Sequence, residues 1–346
     1  MPEHSRSPLV ELTLARTREF IRQPEAVFWV FAFPLLLALA LGFAFREKAP
    51  DRTPIGILTG SGSDQLMKAV SGSPALLARA YSAAEGADAL RTGKISLLVE
   101  PGPQIVYRFD PTRPDARIAR LEADEAIQTA AGRKSVRPTS EKHVTEKGSR
   151  YIDFLVPGLL GMNLMGTGMW GVGFSIVTAR SQKLLKRLIA TPMRRSHYMI
   201  AQMLARLLFL VLEVVTLVAF GWLVFDVSVH GSLIVLGIVC LVGAAAFAGL
   251  GLLVASRVQT IEGVSGLMNF VMMPMWLLSG VFFSSARFPD YAQPFIKALP
   301  LTALNDALRG VMTEGRSLAA IGPELLILTA WGVVCFVIAL RIFQWK

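Results

Sequence analysis

Cysteine, histidine and charge are all scarce in this 346-residue sequence. It holds two cysteines, and its histidines are far apart: His4, His143, His197 and His230. This indicates neither a disulfide framework nor a metal site, and Ser, Asp and His form no pattern typical of a nucleophilic catalyst. Charged residues make up 17% of the chain, below the roughly 25% of soluble domains. We therefore expect neither an enzyme nor a chain that binds a cofactor of its own.

Apolar residues, 53% of the chain, collect into runs of about twenty, the length that crosses a ~30 Å hydrocarbon core. The sequence therefore predicts an α-helical polytopic membrane protein with six transmembrane helices. The predicted spans are Val27–Phe45, Ile152–Val177, Tyr198–Phe225, Leu233–Ala255, Val264–Phe283 and Pro323–Phe343. Cys240 and Cys335 lie inside these runs and need no role beyond apolar packing.

Between the first two spans, residues 46–150 form a hydrophilic block with 17 Lys and Arg and 13 Asp and Glu. It is large enough for a domain. Pro54–Thr59, Ile95–Glu100 and Gln104–Phe109 are predicted strands, and Asp64–Val70, Ala83–Arg91 and Ala116–Ala131 are predicted helices. The block is therefore expected to be a small α/β domain.

The cations of the short loops are distributed asymmetrically. Fourteen Lys and Arg lie before span one, between spans two and three, between spans four and five, and after span six, against four in the opposite short segments. The positive-inside rule then places both termini in the cytoplasm and residues 46–150 outside. Because the cations are distributed in this way, the net charge of +10 does not indicate that the chain binds nucleic acid. Membrane lipid is an expected partner.

Two further segments have a character of their own. Residues 1–26 include the amphipathic stretch Leu9–Arg22, which predicts an interfacial helix on the cytoplasmic surface or a solvated leader to span one. Residues 284–321 are apolar but interrupted by three prolines, with Ala303–Met312 as a short amphipathic helix. A segment this broken is more typical of a re-entrant or interfacial structure than of a soluble loop.

The cytoplasmic loop of residues 178–197 contains a second amphipathic pattern. Its cationic face holds Lys183, Lys186 and Arg187, at helical spacing. Its apolar face holds Leu184, Leu185, Leu188 and Ile189, and Pro192 ends the helix. A short helix of this kind fits either the membrane surface or a groove on a partner protein.

Several stretches together resemble the permease subunit of an ATP-binding cassette exporter of the type-2 class, in the subgroup with a large extracytoplasmic domain after the first span. The matching stretches are Tyr151–Gly158, Leu188–Pro192, Pro274–Phe283, Phe288-Pro289, Leu299–Thr302 and Asp306–Arg309.

The resemblance implies a coupling helix that docks on a cytoplasmic ATPase. That role falls on Lys183, Leu184, Leu185, Lys186, Arg187, Leu188, Ile189 and Ala190. The family often has acidic residues and a Gly-Thr pair just upstream of its Leu-x-x-Thr-Pro stretch. This chain has Ser181 and Lys186 at the acidic positions and Lys183-Leu184 at the Gly-Thr pair. The more basic loop suggests a partner with an acidic groove.

Further implied partners are a second copy of the chain or a paralogous permease. ATP and Mg would bind to the separate ATPase, since this sequence has no Gly-x-x-x-x-Gly-Lys-Ser/Thr motif. Its nearest Gly-Lys pair, Gly93-Lys94, is followed by Ile95 and has Asp88 in place of the first glycine.

Glu213 is the one carboxylate deep in a predicted span, where charges usually face a cavity or a partner. It is a candidate pathway or interface residue, or a hydrogen-bonded structural residue between helices. Gly158 and Gly280 are further candidates, because small residues let helices approach closely at a subunit seam or in ordinary packing.

The sequence thus predicts a permease that moves an amphipathic substrate, such as a drug or lipid, out of the cytoplasm across a bacterial inner membrane. The alternative is a non-transporting membrane sensor or scaffold that acts through its extracytoplasmic domain.

Overall fold

The computed structural model describes residues 13–14, 17–18, 20–45, 52–134, 137, 150–181 and 195–342, with the backbone alone for 179 and 195–205. The chain divides into two compact units. One is the helical bundle, formed by the segments on either side of residues 47–144; the other is the inserted domain, residues 47–144 themselves. Each has its own hydrophobic core.

The described residues of the inserted domain form four strands and three helices. In chain order these are β1 (Thr53–Leu58), α2 (Ser63–Ser71), β2 (Leu76–Tyr81), α3 (Ala83–Arg91), β3 (Leu97–Glu100), β4 (Val106–Arg108) and α4 (Pro114–Ala130). The sheet order is β2-β1-β3-β4. β2 and β3 pair parallel to β1, and β4 pairs antiparallel to β3.

Helices cover both faces of this sheet. Ile55 and Ile57 of β1 pack with residues of α2 and α4, whereas Leu98 of β3 packs with Ala89 of α3. The alternation follows from the period of two in a strand. Strand β2 is absent from the sequence prediction, because its residues LLARAY include helix-favouring Leu, Ala and Arg and show no alternation.

The bundle contains α1 (Pro24–Ala44), α5 (Tyr151–Ser181), α6 (Arg195–Phe225), α7 (Leu233–Ala255), α8 (Ile261–Leu278), α9 (Gln293–Ala298), α10 (Pro300–Met312) and α11 (Gly322–Ile342). Five are long and apolar enough to cross a membrane: α1, α6, α7, α8 and α11. Helix α5 is not among these five. Its 31 residues are enough to cross a membrane, but its many glycines and Asn163 lower its mean hydropathy. The prediction of a helical multi-span protein with an α/β domain after the first span is confirmed.

Helix α8 ends at Leu278, five residues before the predicted end of the fifth span. Ser279 caps it, and Gly280 takes a left-handed conformation with φ +71°, which is accessible to glycine without steric cost. After two single 3-10 turns and α9, the chain enters α10, which begins three residues before the predicted helix. Eleven of the 13 residues of α10 are buried, against α5, α7 and α11.

Candidate functional site

The end of α8 lies inside the bundle, and its last carbonyl groups need hydrogen-bond donors. A helix leaves its final carbonyls without intrahelical partners, and unpaired carbonyls are costly in apolar surroundings. Three side chains donate to the carbonyl of the capping residue, Ser279, and to two carbonyls of the segment just after it, those of Gly280 and Phe282. Asn305 Nδ2 donates to the carbonyl oxygen of Ser279 over 2.8 Å, Arg309 donates to that of Gly280, and the Tyr151 hydroxyl donates to that of Phe282 over 2.9 Å.

Arg309 makes the most contacts of the three. Its side chain is 13% exposed, and its guanidinium carbon lies 3.7 Å from the centre of the Phe154 ring. It also donates to the carbonyl oxygen of Phe154 at 3.4 Å, and the carboxylate of Asp306 is 3.9 Å away. Because a cation near a helix C-terminus opposes the negative end of the helix dipole, Arg309 stabilises the end of α8 by charge and by hydrogen bonds.

Glycines on α5 permit this approach. A Cβ atom on Gly158 would lie 2.5 Å from the carbonyl oxygen of Val281, and one on Gly161 would overlap Oδ1 of Asn305. The backbone of α5 therefore contacts the segment after α8 and the polar face of α10 directly. We call this arrangement the α8 cap: Tyr151, Phe154, Gly158, Gly161, Ser279, Gly280, Asn305 and Arg309.

The α8 cap unites stretches that the sequence analysis treated separately. Tyr151–Gly158, Pro274–Phe283 and Asp306–Arg309 all supply members of it, and Leu299–Thr302 begins α10 beside them. Gly158 and Gly280, two of the predicted site residues, lie here together, each within 3.4 Å of Arg309 as measured from an added Cβ.

Glu213 lies in a different place, between α5 and α6. Its side chain is 1% exposed, with Oε1 3.1 Å from Nη1 of Arg206. The Thr167 hydroxyl of α5 is 3.0 Å from Oε2 and accepts a hydrogen bond from Arg206 Nη2 over 2.6 Å. Arg206 counts among the cations of the loop between spans two and three in the sequence analysis; it instead lies within α6. Glu213 of α6 is thus hydrogen-bonded to Thr167 of α5, and its role in a pathway or in the packing of the helices stays a prediction.

The polar contacts continue from this pair toward α1. Asn163, one turn before Thr167 on α5, donates from Nδ2 to the carbonyl oxygen of Val30 over 3.2 Å. Val30 lies in a π-helical turn of α1, Phe28–Ala32, where the regular backbone hydrogen bonds are interrupted. Three helices, α1, α5 and α6, are therefore joined by polar side chains inside an apolar bundle.

The predicted coupling residues Lys183–Ala190 lie outside the described residues. The structure does describe Arg180, three residues before them. Arg180, in the last turn of α5, donates from Nη1 to the carbonyl oxygens of Ala255 over 3.2 Å and Val258 over 2.7 Å. Arg180 thus joins the start of the cytoplasmic loop of residues 178–197 to the turn between α7 and α8 by hydrogen bonds.

Most glycines of α5 and α7 serve packing within the chain. A Cβ on Gly251 would lie 2.6 Å from the carbonyl oxygen of Met169, and one on Gly168 would lie 2.8 Å from Cβ of Phe247. On the other side of α7, a Cβ on Gly249 would lie 3.0 Å from the carbonyl oxygen of Gly332. Gly171 differs, because a Cβ added there would meet nothing within 4 Å.

Asn305 and Asn269 are not among the site residues predicted from the sequence. Asn305 is fully buried on α10, whereas Asn269 is exposed on α8. A signal existed for both, since each is a lone amide in an apolar stretch, and such residues seek a hydrogen-bond partner. Cys240 and Cys335 are buried, and within the described ranges no three His, Cys, Asp or Glu side chains could hold a metal ion.

The bundle and the inserted domain together define a polytopic α-helical membrane protein with about five to six spans. The chain belongs to the ABC-2 family of transporter proteins, whose family model matches residues 25–341. These 346 residues contain the membrane permease and no ATPase motif.

Two relatives illustrate the breadth of the family. The chain is 25% identical over 250 residues to "ABC transporter G family member 20" of Dictyostelium discoideum, an alignment that covers 71% of this chain and 32% of that protein. It is 26% identical over 205 residues to "Inner membrane transport permease YadH" of Escherichia coli strain K12, covering 58% of this chain and 75% of the relative. The chain thus spans about a third of the first relative.

Proposed function

We propose that this chain is the permease half of an exporter that moves an amphipathic substrate out of the cytoplasm. Two copies would form the pathway, and a separate ATPase subunit would bind ATP and Mg and dock on Lys183–Ala190. Both termini would be cytoplasmic and the inserted domain outside, as expected of the subgroup with a large extracytoplasmic domain. The loop cations and the family membership support this arrangement.

One exposed face of α8, which includes the polar residues Glu262 and Asn269, carries the proposal of a second copy. Glu262, Gly266, Asn269 and Met273 lie on one side of this helix, and all are exposed. Asn269 is the critical residue, because it lies about 12 Å from the start of the helix at 1.5 Å per residue. An amide at that depth is unfavourable toward lipid tails. This face therefore fits a second protein or an aqueous path better than the bilayer.

Helix α5 continues the same face. An added Cβ on Gly173 would overlap Met268 of α8, and one on Gly166 would lie 3.9 Å from Met272, so the two helices run antiparallel. Gly171, between these positions on α5, is therefore at the level of Asn269. Gly171 and Phe174 are exposed. We call the surface of Gly171, Phe174, Gly266 and Asn269 the open face.

A second copy is the occupant that the open face fits. A glycine with space beside it permits close helix approach, and an amide opposite its own symmetry mate can donate and accept. Six spans from each copy would give a twelve-span assembly, with the pathway beside α5 and α8.

Cross-linking tests this arrangement. We expect Asn269→Cys to form a disulfide-linked dimer in proteoliposomes on mild oxidation, because Asn269 would face its symmetry mate. Phe336→Cys on α11 is the matched control, since Phe336 is 48% exposed but lies away from the open face and is expected to face lipid. Equal cross-linking of both variants, or of neither, would contradict a dimer through the open face.

Transport is tested separately. The chain should co-purify with an ATPase encoded beside it, and export of an amphipathic dye from cells should stop when the P-loop lysine of that ATPase is replaced. Co-purification without any ATP-dependent export would favour the alternative, a sensor or scaffold that uses the inserted domain.

A further inference from the structure

Two neighbouring cavities open on the inserted domain, and Phe109 lines both of them. The first has a volume of about 590 Å³ and the second of about 370 Å³, both in the size range of small-molecule sites. Five arginines line them: Arg91, Arg108 and Arg113 the first, and Arg117 and Arg120 the second. An anionic ligand can use only those guanidinium groups that the protein itself leaves without a carboxylate.

The three arginines of the first cavity are already paired. Their carboxylate partners, at 2.5–2.6 Å, are Asp88, Glu100 and Asp115. A fourth carboxylate, that of Asp110, lines the same cavity. Because carboxylates outnumber the arginines there, the first cavity offers no excess of positive charge to an anion.

The two arginines of the second cavity are not paired in this way. Among the described residues, no carboxylate oxygen lies within 4.0 Å of a side-chain nitrogen of Arg117 or Arg120. Asp124, one turn after Arg120, instead accepts a hydrogen bond from the Tyr107 hydroxyl over 3.0 Å. The guanidinium carbon of Arg120 is 5.9 Å from the centre of the Tyr107 ring. Both arginines therefore keep donors for a ligand.

The start of α4 adds to the positive potential. Arg117 is the fourth residue of this 17-residue helix, near the end where the helix dipole disfavours cations and favours anions. The acidic side chains nearby in sequence have other partners. Asp115 pairs with Arg113, and Asp110 accepts two hydrogen bonds from Thr112. An anion beside Arg117 would therefore be stabilised by the arginines and by the helix.

The rest of the second cavity is apolar. Phe109, Pro111 and Leu121 complete its lining. Leu121 is 60% exposed, and Ile118, three residues earlier on α4, is 58% exposed. A small inorganic anion would leave these side chains uncovered, whereas an acidic group joined to a hydrocarbon body would contact both the arginines and the apolar wall.

We propose that the second cavity, here called the α4 cavity and lined by Phe109, Pro111, Arg117, Arg120 and Leu121, binds an anionic amphiphile. The two arginines bind its carboxylate or phosphate group, because guanidinium N–H donors match the geometry of such oxygens. The apolar side chains contact its hydrocarbon body. A free fatty acid and the headgroup region of an anionic lipid share this chemistry. The binding concerns the inserted domain alone and does not depend on the proposed export.

Binding to the full chain tests the proposal. The protein is placed in nanodiscs of zwitterionic phosphatidylcholine, and the displacement of a dansylated fatty acid by decanoate is measured, with empty nanodiscs subtracted. Arg117→Gln combined with Arg120→Gln should weaken decanoate binding by about tenfold or more, because charged donors are lost. Arg117→Lys combined with Arg120→Lys keeps both charges and should retain most of the affinity. Unchanged binding by the glutamine variant would overturn the proposal.

Arg133→Gln combined with Lys134→Gln is the matched control. These exposed cations follow the other end of α4, and their replacement removes the same charge from the domain. Because they lie more than a Debye length from Arg117 along the helix, the affinity for decanoate should change by less than about twofold. An equal loss in the two glutamine variants would show general attraction to a basic domain and would contradict a site at the α4 cavity.

The choice of competitor tests each part of the ligand. Decanol has the same chain without the charge, and acetate has the charge without the chain, so neither should displace the probe where decanoate does. Displacement by either as strong as by decanoate would overturn the proposal. Phosphatidylglycerol added to the nanodiscs separates the two sources. Displacement by this lipid as well identifies a lipid headgroup, displacement by decanoate alone identifies a free amphiphile, and displacement by neither contradicts the α4 cavity as a site.

Discussion

Arg309 donates hydrogen bonds to the carbonyls of Phe154 and Gly280 and lies over the ring of Phe154. Its replacement therefore removes three contacts together. We expect Arg309→Ala to cost about 2–4 kcal/mol, since charged donors contribute more than neutral ones and the carbonyl of Gly280 is left unpaired. Arg309→Lys should recover only part of this loss, because an ammonium lacks the planar fork of donors. The measurement is thermal unfolding of the full chain in detergent.

The control for Arg309 is Arg287→Ala, because Arg287 is exposed in the 3-10 turn after α8. Its loss should change stability by no more than about 0.5 kcal/mol. An equal effect of the two substitutions would show that charge alone matters and would contradict the role of Arg309 in the α8 cap.

Gly158 and Gly171 offer the same substitution on one helix in opposite surroundings. Gly158→Ala would place a methyl group 2.5 Å from the carbonyl oxygen of Val281, and overpacking of this kind typically costs about 1–3 kcal/mol. Gly171→Ala meets nothing within 4 Å and should leave the stability of the isolated chain unchanged or slightly raised. Chemical denaturation in detergent compares the two. A loss at Gly171 as large as that at Gly158 would contradict the α8 cap.

At the scale of the elements, Arg206 and Glu213 form an ion pair within α6, and both bond to Thr167 of α5. We expect Glu213→Gln and Arg206→Gln each to destabilise the chain, and the double variant to be less affected than the sum. The interaction free energy should be about 0.5–3 kcal/mol, as for side chains in direct contact. A double-mutant cycle by thermal unfolding measures it, and a value near zero would show that the ion pair does not contribute to the stability of the bundle.

Export distinguishes the two roles left open for Glu213. A pathway role predicts that Glu213→Gln reduces export more than the amount of folded protein in the membrane. A structural role predicts that both fall together, because the uncompensated Arg206 destabilises α6. The assay is ATP-driven dye export normalised to the amount of protein.

The elements show which parts of this structure are encoded locally. The membrane helices follow from apolar runs, and α3 from its Ser82–Glu85 capping box. The α8 cap could not be derived in this way. Asn305 and Arg309 lie 26 and 29 residues from the carbonyls they bind, and Tyr151 lies 131 residues from its own. The stretches were recognisable by resemblance, but only the fold shows that they converge.

At the scale of the whole molecule, the two units should respond separately to core substitutions. Ile57 is fully buried in the inserted domain, and Ile57→Ala should cost about 2–5 kcal/mol there. Because the bundle has its own core, its stability should not change. Hydrogen exchange followed by mass spectrometry should show faster exchange in β1 and β3 and no change in α5 or α7. Faster exchange in α7 as well would contradict two independent cores.

The burial of α10 also has a consequence for the synthesis of the protein. Its neighbours α5 and α7 precede it in the chain, but α11 follows it. A ribosome that has just completed α10 has therefore produced a helix whose packing partners are incomplete, and proteins assemble as their segments emerge. The segment from Gly280 to Met312 would therefore remain incompletely packed until α11 is inserted into the membrane. A chain truncated before Gly322 should accordingly be recognised by membrane quality control and degraded, although most of its spans are present.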